Sequence, residues 1–226
     1  MRLDGATIAF DLDGTLVDTA PDLIGALNVV LGERGLPALP TEAARMLVGR
    51  GARALIEKGF ATAGEPLDAA ETPDLVARFI EIYRDRIANE SRPFEGVEAA
   101  LDALSDAGAI LCVCTNKPTG LSDLLLEALH LRARFASVIG ADRGPKPKPD
   151  ASHLLYAIAE AGGDPRRAVM IGDSYADAAA AKAAGVPCIL LPHGYTDVPV
   201  HDLDADLVVD GFAQLPAAVE RLLAPA

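Results

Sequence analysis

The sequence predicts an α/β protein: a parallel sheet covered by helices on both faces, with a helical cap inserted near its start. Three observations predict it. From Pro93-Phe94-Glu95-Gly96-Val97 onwards, helix and strand patterns alternate, which is the rhythm of a parallel sheet built from crossover units. The apolar runs Ile8 to Phe10, Ala109 to Cys114 and Ala168 to Ile171 are continuous rather than alternating, as fully buried parallel strands are. Between the first run and Pro93 lies a long helical region without strand signals. The expected core is Rossmann-like, residues 1–15 joined with 93–226, and residues 16–92 form the expected cap.

The first run passes straight into Asp11-Leu12-Asp13-Gly14-Thr15. The C-terminal ends of such strands are where open α/β sheets bind ligands. If the chain stays extended past Phe10, Asp11 and Asp13 point the same way, because side chains repeat every second residue. Unit charges ~4 Å apart cost about 4 kcal/mol at an effective dielectric of 20. Such a pair persists where one acid is protonated or a cation sits between the two. A polar turn after a strand would account for a single Asp-Gly, but not for paired acids followed by Gly-Thr.

Helical spacing follows over 21–34, with Leu23, Leu27, Val30 and Leu31 on one side and Gly35 as the stop. Residues 52–63 and 72–89 read similarly, the latter with Leu75, Phe79, Ile82 and Tyr83 on one face. Gly35-Leu36-Pro37 and Gly64-Glu65-Pro66 are turn-rich connectors. The strand over 109–114 ends in Thr115-Asn116-Lys117-Pro118, whose hydroxyl and amide could bind an oxyanion beside a helix start. Lys146 or Lys148 lies between this segment and the strand over 168–171. That strand ends in Gly172-Asp173-Ser174. Gly172 allows a tight turn, Ser174 caps the Ala-rich helix that follows, and Asp177 sits on its first turn within reach of Asp173. Acids, a hydroxyl and a lysine thus gather on one edge of one sheet.

Composition narrows the partners. The 226 residues suffice for one large domain or a domain with an insert, and half are hydrophobic. Thirty-three acids against 20 basic residues give a formal charge of −13, a surface that repels nucleic acid and anionic membranes. A phosphate substrate would be repelled too, so its site must be locally positive. No apolar run reaches the ~20 residues of a membrane span, and the N-terminus lacks a basic, apolar signal segment. The three cysteines read as core thiols, which suits a reducing cytoplasm. His130, His153, His193 and His201 show no metal-ligand spacing; His153 is expected to pack or face water, and His193 to sit in an ordinary loop.

These motifs, in this order and spacing, resemble the haloacid dehalogenase superfamily, dominated by aspartate-nucleophile phosphohydrolases. Asp11-Leu12-Asp13-Gly14-Thr15 is similar to its first motif and Cys114-Thr115-Asn116-Lys117 to its second. A lysine before Pro149-Asp150 corresponds to the third, and Gly172-Asp173-Ser174 with Asp177 to the fourth. The resemblance runs essentially end to end. Asp18 to Leu23, Thr115 to Pro118 and Ala178 to Gly185 are most similar to bacterial phosphoglycolate phosphatases. The resemblance implies that Asp11 attacks phosphorus and becomes phosphorylated, while Asp13 exchanges protons with the leaving group and water. It assigns Mg²⁺ to the Asp11 carboxylate, the Asp13 backbone carbonyl and the Asp173 carboxylate, with Asp177 orienting the lysine or a metal-bound water. Thr115 and the lysine hold the phosphoryl oxygens. A phosphomutase would keep the same acids but return the phosphoryl group to a sugar; a dehalogenase would need neither metal nor Asp13.

The Lys-Pro-x-Pro pattern of the family fits Lys146, whereas spacing to the following helix favours Lys148, which is the preferred residue. Substrate choice is expected in the cap, where Val48-Gly49-Arg50-Gly51-Ala52 places an arginine between glycines just before a helix. Arg50, helped by Lys117, would receive the carboxylate of a small ester such as 2-phosphoglycolate, while Thr115 and Asn116 contact the substrate at the strand end; another small sugar or amino-sugar phosphate is the alternative substrate. An exposed helix start explains the same residues without a ligand.

Overall fold

The computed structural model describes residues 2–49, 51–196 and 198–224. Strand β1 (Thr7–Phe10) is followed by the two-residue strand β2 (Val17–Asp18), then by helices α1 (Ala20–Glu33), α2 (Thr41–Ala44), α3 (Ala52–Thr62) and α4 (Thr72–Asp85). The short strand β3 (Arg92–Pro93) precedes the alternating part: α5 (Val97–Asp106), β4 (Ile110–Cys114), α6 (Thr119–Ala128), β5 (Ser137–Ile139), α7 (Ala151–Glu160) and β6 (Ala168–Gly172). It continues with α8 (Tyr175–Ala184), β7 (Cys188–Leu190), β8 (Leu207–Val208) and α9 (Leu215–Leu223).

Six strands form one parallel sheet in the order β5-β4-β1-β6-β7-β8, as expected for a Rossmann-like core. The four residues of β1 are fully buried, because helices cover both sides of the sheet. On one side Ile8, Phe10, Val113 and Ile171 pack with Leu101 of α5, Leu125 of α6 and Val219 of α9. On the other, Ala9, Cys112 and Met170 pack with Leu154 and Ile158 of α7 and Ala181 of α8. The three cysteines are unpaired and lie in this second layer, as expected of core thiols. Phe10 stands level with Val113 and Ile171, so β1, β4 and β6 leave the sheet side by side and deliver Asp11, Thr115 and Asp173 to one edge.

Helices α1, α3 and α4 share a separate apolar cluster containing Leu27, Leu31, Phe60, Phe79 and Tyr83. Gly59 of α3 lets it approach α1 closely, since a Cβ there would fall 2.7 Å from Leu27. Strands β2 and β3, which no periodicity announces, pair antiparallel where the chain leaves for these helices and returns. Helix α4 ends at Asp85, four residues before the expected Asn89. The fully buried Asp22 explains the early stop: its Oδ2 accepts the N–H groups of Glu90 and Ser91 and the Ser91 hydroxyl, drawing that segment out of the helix. Among the described residues no helix is long and apolar enough to cross a membrane.

Candidate active site

The Asp11 N–H donates to the Ile171 carbonyl at 2.9 Å, so the residue stays fixed to the sheet although the strand has ended. Its buried carboxylate faces Lys148, whose Nζ lies 2.9 Å from Oδ1 at an angle that leaves this oxygen without a true hydrogen bond. The same ammonium donates to Asp177 Oδ1 at 2.6 Å. Lys148 is therefore the lysine that reaches these acids. Lys146 stays exposed, 3.7 Å from Asp150.

Asn116 holds Lys148 in place. Its Nδ2 donates to the Lys148 carbonyl and its Oδ1 accepts the Lys148 N–H, both at 2.9 Å. The side chain expected to face the ligand thus fastens a neighbouring loop. Thr115 Oγ1 accepts the Lys117 N–H at 3.2 Å, and the Thr115 carbonyl meets the Nε2 of the buried His153 at 3.0 Å. A carbonyl only accepts, so His153 carries its proton on Nε2 and braces the strand end, a role invisible in the sequence. His193 packs 4.1 Å from the Phe94 ring in a loop, as expected.

Asp173 is held by Thr15 Oγ1, which donates to Oδ1 at 2.7 Å, and by the Tyr195 N–H, which donates to Oδ2 at 2.8 Å. Gly14, at φ 85°, and Gly194 press against it; a Cβ at Gly194 would overlap the Asp173 side chain. Asp177 Oδ2 accepts the N–H groups of Asp173 and Ser174 and the Ser174 hydroxyl. With Lys148 on Oδ1, both Asp177 oxygens are occupied by groups it positions.

Asp13 takes a separate partner. Lys117 Nζ lies 3.0 and 3.1 Å from its two oxygens and donates to Tyr83 Oη of α4 at 2.9 Å. Burial draws the Lys117 ammonium down, but Asp13 and Tyr83 outweigh it and leave it above the ordinary lysine range. Burial pushes the Asp11 carboxyl up to about 6, against the pull of Lys148 and with the push of Asp177. Asp173 is raised well above the usual carboxylate range by burial, then by Asp177 and Asp11.

The acids of this cluster outnumber its bases. Asp11, Asp173 and Asp177 each place an oxygen within 4.8 Å of the others. Four carboxylates (Asp11, Asp13, Asp173, Asp177) meet only two ammonium groups, Lys117 and Lys148, among these contacts. A hard divalent cation on oxygen ligands would restore the balance, so the donor set fits one.

Asp11 and Asp13 open into a cavity enclosing about 550 Å³ of atom-free space, part of it continuous with solvent. Its far wall comes from the helical segment, including Leu23, Leu55, Phe79 and Tyr83. Arg50 lies outside the described residues, while its neighbours Gly49 and Gly51 line the cavity. Tyr83, Tyr195 and His153 were missed as site residues because their roles depend on partners more than 20 residues away in the chain.

Residues 8–191 match the family of haloacid dehalogenase-like hydrolases. Phosphoglycolate phosphatase of Caulobacter vibrioides is 58% identical over 221 residues, covering 98% of this chain and 93% of that protein. Phosphoglycolate phosphatase of Agrobacterium fabrum is 47% identical over 215 residues, covering 95% and 92%. A crystal structure of a predicted phosphoglycolate phosphatase from Haemophilus somnus superposes with a TM-score of 0.86 at 30% identity, covering 96% of this chain and 99% of the other. The chain belongs to the haloacid dehalogenase-like hydrolases. Within that family it is a phosphoric monoester hydrolase.

Proposed function

We propose that this enzyme hydrolyses 2-phosphoglycolate to glycolate and phosphate in a Mg²⁺-dependent reaction that passes through a phosphorylated Asp11. The observation that carries this reading is the opening of Asp11 and Asp13 into one cavity, each with its own lysine, beside a tight cluster of carboxylates. Named relatives at 58% and 47% identity support the substrate.

Asp11 attacks phosphorus, and the bond from phosphorus to the leaving oxygen breaks. Asp13 gives that oxygen a proton, then takes one from the water that attacks the phosphorylated Asp11 and releases phosphate. Lys148 and Thr115 hold the phosphoryl oxygens as charge develops on them. Asp177 and Asn116 keep Lys148 aimed at Asp11. Mg²⁺ would be held by the Asp11 and Asp173 carboxylates and the Asp13 carbonyl, and it would supply charge neutralisation between nucleophile and phosphate.

Residues 16–92 are proposed to act as the cap that selects the leaving group. In support, Leu23, Leu55 and Phe79 of the helical segment crowd the cavity, which favours a short leaving group. Lys117, which lines the cavity, and Arg50 are proposed to meet its carboxylate. The proposed compartment is the cytoplasm, which unpaired buried thiols suit.

Acid quench during turnover of 2-phosphoglycolate tests the covalent step. The peptide bearing Asp11 is expected to carry one alkali-labile phosphoryl group. A phosphorylated peptide elsewhere, or none under conditions where attack by Asp11 outpaces hydrolysis of the phosphorylated enzyme, would contradict it.

A further inference from the structure

Tyr83 is a buried phenol on a helix of the proposed cap, yet its oxygen lies 2.9 Å from a lysine of the sheet edge. An ammonium has three donors and no acceptor, so the Tyr83 oxygen accepts from Lys117 and its own O–H hydrogen points elsewhere. Among the described residues that O–H donates no hydrogen bond. The ring is fixed: it stacks on Phe79 at 6.0 Å with planes 2° apart, and Lys117 Nζ sits 4.5 Å from its centroid. Tyr83, Lys117 and Asp13 line the same cavity.

We propose that the Tyr83 hydroxyl and the Lys117 ammonium form a clamp for a carboxylate on the leaving group, the hydroxyl as hydrogen-bond donor and the ammonium as countercharge, which makes Tyr83 a residue that determines specificity. A buried O–H without an acceptor is unfavourable, and a carboxylate in the cavity gives it an anionic one. The donor persists at working pH, because burial pushes the phenol up to about 12. An apolar wall of Leu23, Leu55 and Phe79 surrounds the clamp, so a neutral leaving group finds no partner for the hydroxyl beyond water. The clamp rests on the phosphoglycolate reading and names the groups that would read its carboxylate.

Tyr83→Phe keeps the ring on Phe79 and removes only the hydroxyl. Wild type and variant are compared on 2-phosphoglycolate and on ethyl phosphate, whose leaving group carries no charge. The variant is expected to lose roughly 10- to 150-fold in kcat/KM on 2-phosphoglycolate, through KM, and less than about threefold on ethyl phosphate. Turnover of ethyl phosphate also reports that the variant is folded. Equal losses on both esters, or less than about threefold on the charged one, overturn the clamp. Titration with glycolate, which has the carboxylate but no phosphoryl group, should show weaker binding to the variant; equal binding contradicts the proposal. The two readings fail differently. A wild type that prefers another carboxylated ester removes the substrate but supports the clamp if Tyr83→Phe loses selectively on that ester. A wild type indifferent to the carboxylate removes both.

Discussion

At the scale of single residues, two lysines separated by one proline have opposite surroundings. Lys148 is buried between Asp11 and Asp177, and Lys146 is exposed beside Asp150. Lys148→Ala is expected to lose about 3 kcal/mol or more of transition-state stabilisation, a hundredfold or greater fall in kcat, and to leave Asp11 and Asp177 repelling each other. Lys146→Ala should stay within about threefold of wild type, since an exposed pair contributes little. Steady-state kinetics of both variants decide it, and the reverse ranking would contradict the placement. The sequence already favoured Lys148, because the helix entered at Asp150 must begin right after the lysine that reaches the sheet edge. Asn116 lines the cavity, as its type and position suggest, but only the tertiary approach of the 148 loop shows both ends of its amide engaged.

Proton linkage at Asp11 makes a second prediction at this scale. Without metal its carboxyl rises to about 6, from an ordinary value of 3.8, burial being the main cause. The folded chain then holds that proton more tightly than the unfolded chain does. The contribution of Asp11 to stability of the metal-free protein should therefore grow as pH falls from about 6 towards 4, and be lost as pH rises through 6. A divalent ion competes with the same proton, so its affinity should fall below about pH 6, by up to about tenfold per pH unit. Metal titrations at pH 5, 6 and 7 are the check, with about equal affinities counting against the assignment.

At the scale of elements, the loop after β7 ties the sheet edge to the start of α1. Tyr195 uses its backbone N–H for Asp173, and its hydroxyl donates to Asp18 at 2.6 Å while accepting the Ala20 N–H at 3.0 Å. Arg45 forks both oxygens of Asp18 at 2.8 and 2.9 Å. Tyr195→Phe should therefore lower stability by about 1–3 kcal/mol, because a buried N–H is left unpaired, yet change Mg²⁺ affinity little, because the contact to Asp173 is backbone. Chemical denaturation and metal titration separate the two effects. Unchanged stability with lost metal affinity would contradict this account. The long elements here were legible: β1, β4 and β6 as continuous apolar runs, α1, α3 and α4 by helical spacing. Strands β2 and β3 were not, since two residues carry no period, and neither was the end of α4, which the distant Asp22 sets.

At the scale of the whole molecule, a chain with formal charge −13 must draw an anionic ester to an edge crowded with carboxylates. Two buried lysines and a divalent ion there would provide local attraction that the net charge opposes. The order β5-β4-β1-β6-β7-β8 brings this about, because it sets the ends of β4 and β6 on either side of Asp11. That order could not be read from the motifs one at a time. Their shared position at strand ends showed that they would meet, but not which side chains would pair. The central claim, a Mg²⁺-dependent phosphatase with Asp11 as nucleophile and 2-phosphoglycolate as substrate, is tested most directly by phosphate release. Wild type and Asp11→Asn are measured on 2-phosphoglycolate, ethyl phosphate and a hexose phosphate, with Mg²⁺ and with chelator. Release is expected from wild type with Mg²⁺ only, with a preference of about tenfold or more for 2-phosphoglycolate and no release by the variant. Turnover in chelator, turnover by Asp11→Asn within about tenfold of wild type, or preference for the neutral esters would contradict it.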